Sequence, residues 1–187
     1  GGWYEDITPV NGLGGASTST QSALIVPVPG DETLHYIFTT GKINASGGSE
    51  VRYALFDRKL NDGQGGLVVD NLPLFSNSTG RITGNANWII IHEFASNTFH
   101  AYNISREGIG APIRSSIGTV HSVNVNPHGS GYMKLGGRNK LAVAVSEPGV
   151  GNRLEVFDFD TATGQLTNMT IGDLEIASGQ ISGVEIF

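Results

Sequence analysis

The pattern of apolar and polar positions repeats three times along the chain. In each copy an apolar strand is followed by a polar gap and by a second, aromatic-rich strand that runs into a tight turn. Repeats of this kind are single supersecondary units that cannot bury their faces alone, so the pattern predicts an array of packed units. The paired strands are 34–38 with 52–57, 88–92 with 99–103, and 141–145 with 154–158.

Each second strand ends in the same way. An aromatic residue is followed by Asp or Asn, and a glycine comes shortly afterwards, where a turn needs a backbone conformation that glycine adopts freely. The three aromatic residues are Phe56, Tyr102 and Phe157. We expect Tyr102 and Phe157 to lie in the core together with Trp88 and Phe99, and the continuous apolar run 88–91 to form a strand buried on both faces.

Two weaker strands complete each unit. A more polar strand follows each turn (67–69, 111–115 and 166–171), and a short strand precedes each pair (22–27, 132–135 and, with the weakest pattern, 81–83). Units of three or four antiparallel strands at a spacing of roughly 50 residues are typical of propeller blades.

The sequence therefore predicts an all-β, propeller-like array in a single domain, residues 1–187. Its four-stranded antiparallel blades span approximately 20–75, 80–120 and 130–175, and residues 182–187 begin a further blade. Closed propellers use about four to eight blades, so we expect a part of a larger ring. Closure of the ring with another chain and an open sandwich are the alternatives.

Composition excludes several classes of protein. The chain has 187 residues, of which 39% are hydrophobic and 15% charged, and no apolar run has the length that a membrane-spanning helix needs. The net charge of −6, with scattered basic residues, argues against a nucleic-acid surface. The 27 glycines indicate many short turns, and the absence of cysteine excludes disulfides and thiolate chemistry. We therefore expect neither membrane insertion nor nucleic-acid binding.

Several segments, taken in order, resemble a known family. They are 19–27, 37–39, 88–102, 131–134, 140–144 and 157–164. Together they resemble the N-terminal propeller-like (WD40/YVTN-like) regions of large secreted surface proteins of Bacteroidota. Those proteins often end in gliding-motility-associated, type IX secretion sorting domains. The resemblance covers roughly residues 12–187 and implies a secreted or cell-surface location. One departure is 135–139, where the family's inner strand usually continues as Ser-Pro-Asp-Gly.

Two groups of polar residues are candidate metal or acid–base sites. His92 and Glu93 end an apolar strand, and His100 lies across the expected hairpin, so the three could bind a metal or transfer protons. Asp158 and Asp160 are spaced as in the first part of a calcium loop, although Ala162 and Met169 stand at two later ligand positions. Alternatively, the histidine at the strand end forms a hydrogen bond to a turn, and residues 158–164 are a hairpin connection without a metal. We do not expect the chain to require a cofactor.

Three other residues are candidates for surface functions. Trp3 and Tyr4 lie in a polar segment and could stack on a sugar ring or on a partner; alternatively, they close the sheet against a neighbouring blade. Asp160-Thr161-Ala162 fits the short pattern used for O-glycosylation in Bacteroidota, which makes Thr161 a candidate for modification.

The leading functional hypothesis is a non-enzymatic binding module that holds a protein or glycan through loops at one end of the blades. Two alternatives remain open. The chain could be a structural component or captured substrate of a secretion, gliding or filament assembly, in contact with other chains. It could also be a hydrolase or lyase of the lactonase-like propeller type, although the expected inner strands carry few charged residues.

Overall fold

The computed structural model describes residues 13–16, 19, 21–42, 47–121, 132–147 and 151–173. These residues form eleven antiparallel strands and two single 3-10 turns, without an α-helix. The predicted all-β class is therefore confirmed. Among the described residues no helix has the length and hydropathy that crossing a membrane requires. The strands are β1 (Ala23–Pro27), β2 (Leu34–Thr40), β3 (Ser49–Asp57), β4 (Gly66–Gly84), β5 (Trp88–Glu93), β6 (Thr98–Ser105), β7 (Gly108–Ser116), β8 (Met133–Gly136), β9 (Lys140–Glu147), β10 (Gly151–Phe159) and β11 (Leu166–Asp173).

The strands form two meandering sheets, and in the described part of the chain neither sheet closes on itself. The first sheet has the order β1-β2-β3-β4-β5-β6-β7, and the second has the order β8-β9-β10-β11. The second sheet lies within residues 130–175, the range predicted for the third blade. The strand predicted at 182–187 lies outside the described residues.

The boundary predicted between the first and second blades falls inside one continuous strand, β4. Its first part pairs with β3 and its second part pairs with β5, and Ser78 is paired on both sides. The weak strand predicted at 81–83 is the second part of β4. A register shift between Ser78 and Ile82, with Gly80 at a φ of 75°, bends the strand without interrupting it.

We call the three four-stranded meanders units. Unit 1 is β1–β3 with β4 up to Ser78, unit 2 is β4 from Ser78 with β5–β7, and unit 3 is β8–β11. Unit 2 lies between the other two, and β5 shows this most clearly. Ile89 and Ile91 pack against unit 1, whereas Trp88 and Ile90 pack against unit 3. All four side chains are buried, which confirms the predicted strand with two buried faces.

The two cores lie between the units, on either side of the β5–β6 hairpin. Complete burial of a large aliphatic side chain contributes about 1.5–3 kcal/mol to folding. The buried side chains at these two interfaces therefore stabilise the packing of the units on one another. The core between units 1 and 2 contains Val26, Val28, Tyr36, Phe38, Val51, Ile82, Ile89, Ile91, Tyr102 and Ile104. The core between units 2 and 3 contains Trp88, Ile90, Phe99, Ala101, Met133, Leu135, Leu141, Val143, Val145, Phe157, Phe159 and Leu166.

The first strands of the three units come together at one side of the stack. The Gln21 amide, just before β1, donates from Nε2 to the carbonyl of Met133 at 2.9 Å and accepts from the Met133 N–H at 3.0 Å. The Leu135 N–H donates to Thr83 Oγ1 at 3.0 Å. Gln21 therefore pairs with β8 as a neighbouring strand would, and β8 is bonded to units 1 and 2.

We expect Gln21→Ala to lower the free energy of unfolding by about 1–3 kcal/mol, because it removes both partners of the buried Met133 backbone. Urea unfolding followed by tryptophan fluorescence measures the change. Gln165→Ala, at an exposed position in the turn before β11, is the matched control and should shift the midpoint little. Equal midpoint shifts in the two variants would contradict the bridging role of Gln21.

Candidate functional site

The predicted calcium loop is a self-contained hairpin turn. Asp160 accepts hydrogen bonds from the Ala162 N–H and from Thr163 Oγ1, both at 2.8 Å. Asp158 accepts from Lys140 Nζ and from Asn168 Nδ2. Hydrogen bonds from these groups, those of Lys140 and Thr163 foremost, lower the pKa of both carboxyl groups. The described residues contain no group of three or more side chains that could hold a metal ion.

The other surface candidates are located as follows. Thr161 lies exposed at the tip of this hairpin, so modification there stays a prediction. Its backbone carbonyl accepts a hydrogen bond from Trp88 Nε1 at 3.0 Å, which fixes the turn against unit 2. Trp3 and Tyr4 lie outside the described residues.

Strand alternation separates the members of the predicted His92–Glu93–His100 site. His100 Nε2 donates to Glu93 Oε2 at 3.0 Å, and the His100 ring lies on Phe75 with 4.5 Å between ring centroids. This pair faces unit 1. His92 follows Ile90 on the opposite face of β5, where its ring meets the edge of Phe99 at 4.6 Å. The structure therefore brings together the pair but not the trio.

His92 instead belongs to a buried basic cluster that sequence reasoning missed. Its ring stacks on that of His121, with 4.0 Å between centroids and 26° between planes. Arg81 Nη1 donates to Nδ1 of His121. All three side chains are at most 2% exposed. Nothing in the local sequence indicates this cluster, because its members come from β4, from β5 and from the segment after β7.

The electrostatics of this cluster keep both rings neutral. Burial lowers the pKa of His92 and of His121 well below the usual value, since a charged imidazole loses its hydration there. Arg81 lowers both pKa values further, His92 also lowers the pKa of His121, and His100 lowers that of His92. The cluster thus holds one permanent positive charge and excludes a second.

A buried carboxylate lies on the other side of this segment. Glu155 on β10 is fully buried and accepts hydrogen bonds from Arg153 Nε at 3.1 Å, from the Thr119 N–H at 3.2 Å and from Thr119 Oγ1. Gly118 lies so close that a Cβ there would stand 2.7 Å from Glu155 Oε2. The segment Ile117–His121 is therefore bonded to unit 3 by Thr119 and to unit 2 by its own backbone.

An apolar groove of about 300 Å³ lies on the outer face of unit 1, which is the face turned away from unit 2. Ile25 and Ile37 are cross-strand partners in it, and Phe56 and His35 form the next row. Arg58, in the turn after β3, lines the rim. Ile25 is 63% exposed, so the groove leaves a large apolar side chain in solvent.

In units 2 and 3, the face that corresponds to the groove is covered by the preceding unit, as the repeated aromatic residues show. Tyr102 is buried in the core that unit 2 shares with unit 1, and Phe157 is buried in the core that unit 3 shares with unit 2. Each therefore packs on the unit before its own. Phe56 has the equivalent position in unit 1 but lies half-buried in the groove, against Gly65. Tyr102 and Phe157 are therefore covered by a neighbouring unit, whereas Phe56 is partly open to solvent.

The resemblance to Bacteroidota surface proteins stays a prediction, because no protein-family model and no curated protein sequence matches the chain. Of what this resemblance implies, the antiparallel all-β architecture is present. The secreted location and the binding role belong to the proposal that follows.

Proposed function

We propose that the chain is a non-enzymatic interaction module, part of a propeller-like array in a secreted or cell-surface protein, which binds a partner protein on the outer face of unit 1. Two features support the propeller-like arrangement. The units stack face to face in chain order, and Gln21 and Thr83 join their first strands through β8. Inner strands that lie side by side are a property of propellers.

The observation that carries the binding role is the position of Phe56. Its counterparts Tyr102 and Phe157 are covered by the preceding unit, whereas Phe56 lies in an open apolar groove. An exposed apolar face rimmed by polar groups marks an interaction site. The chemistry that fits is an apolar face of another antiparallel β-unit, which would cover Ile25, Ile37 and Phe56 as unit 1 covers Tyr102.

The rim of the groove adds a polar component. Arg58 and His35 border the apolar rows, and Arg58 belongs to the turn that joins β3 to β4. A partner that carries carboxylates beside its apolar face would pair with Arg58 without burying the guanidinium. Arg58 of the turn after β3 and the sheet face thus line one groove.

A photo-reactive residue in place of Ile25, in the protein produced by its native host, tests this role. We expect irradiation to join position 25 to residues from the apolar face of a β-unit, because this side chain is 63% exposed in the groove. Mass spectrometry of the joined peptides identifies the partner. The same probe in place of Val68, which is 54% exposed on β4, is the matched control.

The identity of the joined peptide separates two versions of this function. A second copy or another part of the same polypeptide favours a structural element of an assembly, and a different protein favours a binding module. Equal or absent adducts at positions 25 and 68 would overturn the proposal. Protection of the protein from a membrane-impermeant label on intact cells would overturn its proposed location.

A further inference from the structure

The stacked rings of His92 and His121 join two parts of the chain that no strand pairing connects. His92 is on β5 in unit 2, and His121 ends the segment Ile117–His121 that follows β7. The backbone of the same segment is bonded to the β5–β6 turn. The Ile117 N–H donates to the Asn97 carbonyl at 3.0 Å, the His121 N–H donates to the Ser96 carbonyl at 3.1 Å, and the Ala95 N–H donates to the His121 carbonyl at 3.1 Å.

The hydrogen bond between Arg81 and His121 requires a neutral imidazole. A guanidinium has donors only, so Nδ1 of His121 must accept and cannot carry a proton. Protonation of Nδ1 would turn a donor–acceptor pair into two facing donors. The two ring nitrogens of His92 and Nε2 of His121 have no hydrogen-bond partner among the described residues. An added proton on any of them would therefore find no acceptor there.

Among the residues that the structure describes, the charged groups around the pair are mostly basic. Arg81 on β4 and Arg153 on β10 face it from two elements, and His100 on β6 lies near His92. The nearby acids are already engaged: Glu93 accepts from His100 on the opposite face of β5, and Glu155 accepts from Arg153 and Thr119. A proton on either ring of the pair would therefore add a second positive charge beside Arg81.

We propose that the His92–His121 pair is an acid-sensitive latch, which fastens the segment Ile117–His121 to unit 2 at neutral pH and releases it under mildly acidic conditions. Release breaks the stack, the hydrogen bond from Arg81 and the backbone bonds to the β5–β6 turn. It also loosens the connection to unit 3 that Thr119 makes through Glu155. The latch depends only on the interior of the described units and not on the binding role proposed above.

The direction of the pH dependence follows from linkage. The pKa of both histidines is lower in the closed form than in the open one, where it returns to about 6.5. Above that pH both forms are neutral and the closed form has its full stability. Below it only the open form gains protons, so the closing equilibrium weakens by up to about tenfold per pH unit for each histidine.

Hydrogen–deuterium exchange of the intact chain tests the latch. At pH 5.5 compared with pH 7.5, and after correction for intrinsic exchange rates, we expect the amides of Ala95, Ile117 and His121 to lose about tenfold or more of their protection. Amides of β9 and β10 should keep theirs. Unchanged protection at the three amides, or an equal loss throughout the chain, would overturn the proposal.

A variant in which position 121 cannot titrate gives the second test. His121→Asn keeps a side-chain oxygen near the position of Nδ1, so it can still accept from Arg81 but gains no charge in acid. We expect its loss of protection at Ala95 and Ile117 between the two pH values to be about tenfold smaller than in the unmodified protein, because only His92 is left to titrate. His35→Asn, on the outer face of unit 1, should retain the acid response of the unmodified protein. An acid response in His121→Asn equal to that of the unmodified protein would contradict the latch.

A measurement on the unmodified protein removes the dependence on variants. The ring proton signals of His92 and His121, followed by NMR as the pH falls, should remain those of neutral rings until the three amides lose protection, and should change with them. Titration of these rings near pH 6.5 while the amides stay protected would overturn the proposal.

Discussion

Replacing Glu155 by alanine is expected to lower the free energy of unfolding by about 3 kcal/mol, one of the largest effects of any single polar substitution in the described part of the chain. The carboxylate is fully buried and accepts from Arg153 Nε, from the Thr119 N–H and from the Thr119 hydroxyl. Alanine leaves the Thr119 N–H and the guanidinium of Arg153, whose side chain is 23% exposed, without this acceptor. Breaking a buried pair on one side costs more than the pair itself contributes, because the remaining charge is uncompensated.

Chemical unfolding at neutral pH measures this loss, and two variants define its cause. Arg153→Met combined with Glu155→Met should recover most of the stability, since both charges are then absent and the space stays filled. Glu107→Ala removes an exposed carboxylate in the β6–β7 turn and should change the unfolding free energy by less than about 0.5 kcal/mol. A loss in the double variant as large as in Glu155→Ala would show that the network itself, not the unpaired charge, stabilises the fold.

The sequence predicted those features that depend on neighbouring residues. The run 88–91 has apolar side chains at every position, which only a strand covered on both faces can bury, and β5 is such a strand. The repeated pattern predicts a turn with a glycine shortly after Phe157, and Gly164 has a φ of 77° in that turn while Asp160 accepts a hydrogen bond from the Ala162 N–H. Spacing along the chain contains this information directly.

The continuity of β4 could not be predicted in this way. Residues 76–80 are Ser-Asn-Ser-Thr-Gly, a composition that favours a turn, so the predicted boundary between blades lies there. The strand continues because Ser78 finds backbone partners in both β3 and β5. Ladder hydrogen bonds from two distant strands thus override the local preference, and these strands are specified elsewhere in the sequence.

The buried cluster and the groove were missed for a related reason. His92 was assigned to a group with Glu93 and His100 because they are close in sequence, but alternation along β5 directs His92 to the opposite face. Arg81 lies on a strand whose weak pattern gave no reason to expect a buried guanidinium. For Phe56, the repeat predicted an equivalent of Tyr102 and Phe157, yet only the stacking order shows which of the three remains uncovered.

Replacing Gly164 by alanine is expected to lower the free energy of unfolding by about 2–4 kcal/mol, through backbone strain and a steric clash together. The backbone at Gly164 has a φ of 77°, which an L-residue with a Cβ adopts at a cost. An added Cβ would lie 2.5 Å from Cη2 and Cζ3 of Trp88, a contact too short to persist. Trp88 is itself held by its hydrogen bond to the Thr161 carbonyl and by the edge-on ring of Phe159.

Gly63→Ala separates the two contributions, because Gly63 occupies the matching turn of unit 1. Its φ is 89° and a Cβ there would meet nothing within 4 Å, so the substitution should cost only the strain, about 1–2 kcal/mol. Urea unfolding gives the loss of unfolding free energy in each variant, and the difference between the two losses is the contribution of the clash with Trp88. Combining Gly164→Ala with Trp88→Leu should show a smaller loss than the sum of the two single variants, because the leucine leaves room for the methyl group. Additive losses would mean that the hairpin of unit 3 does not rest on Trp88, and the packing of unit 3 on unit 2 would then depend on the apolar core alone.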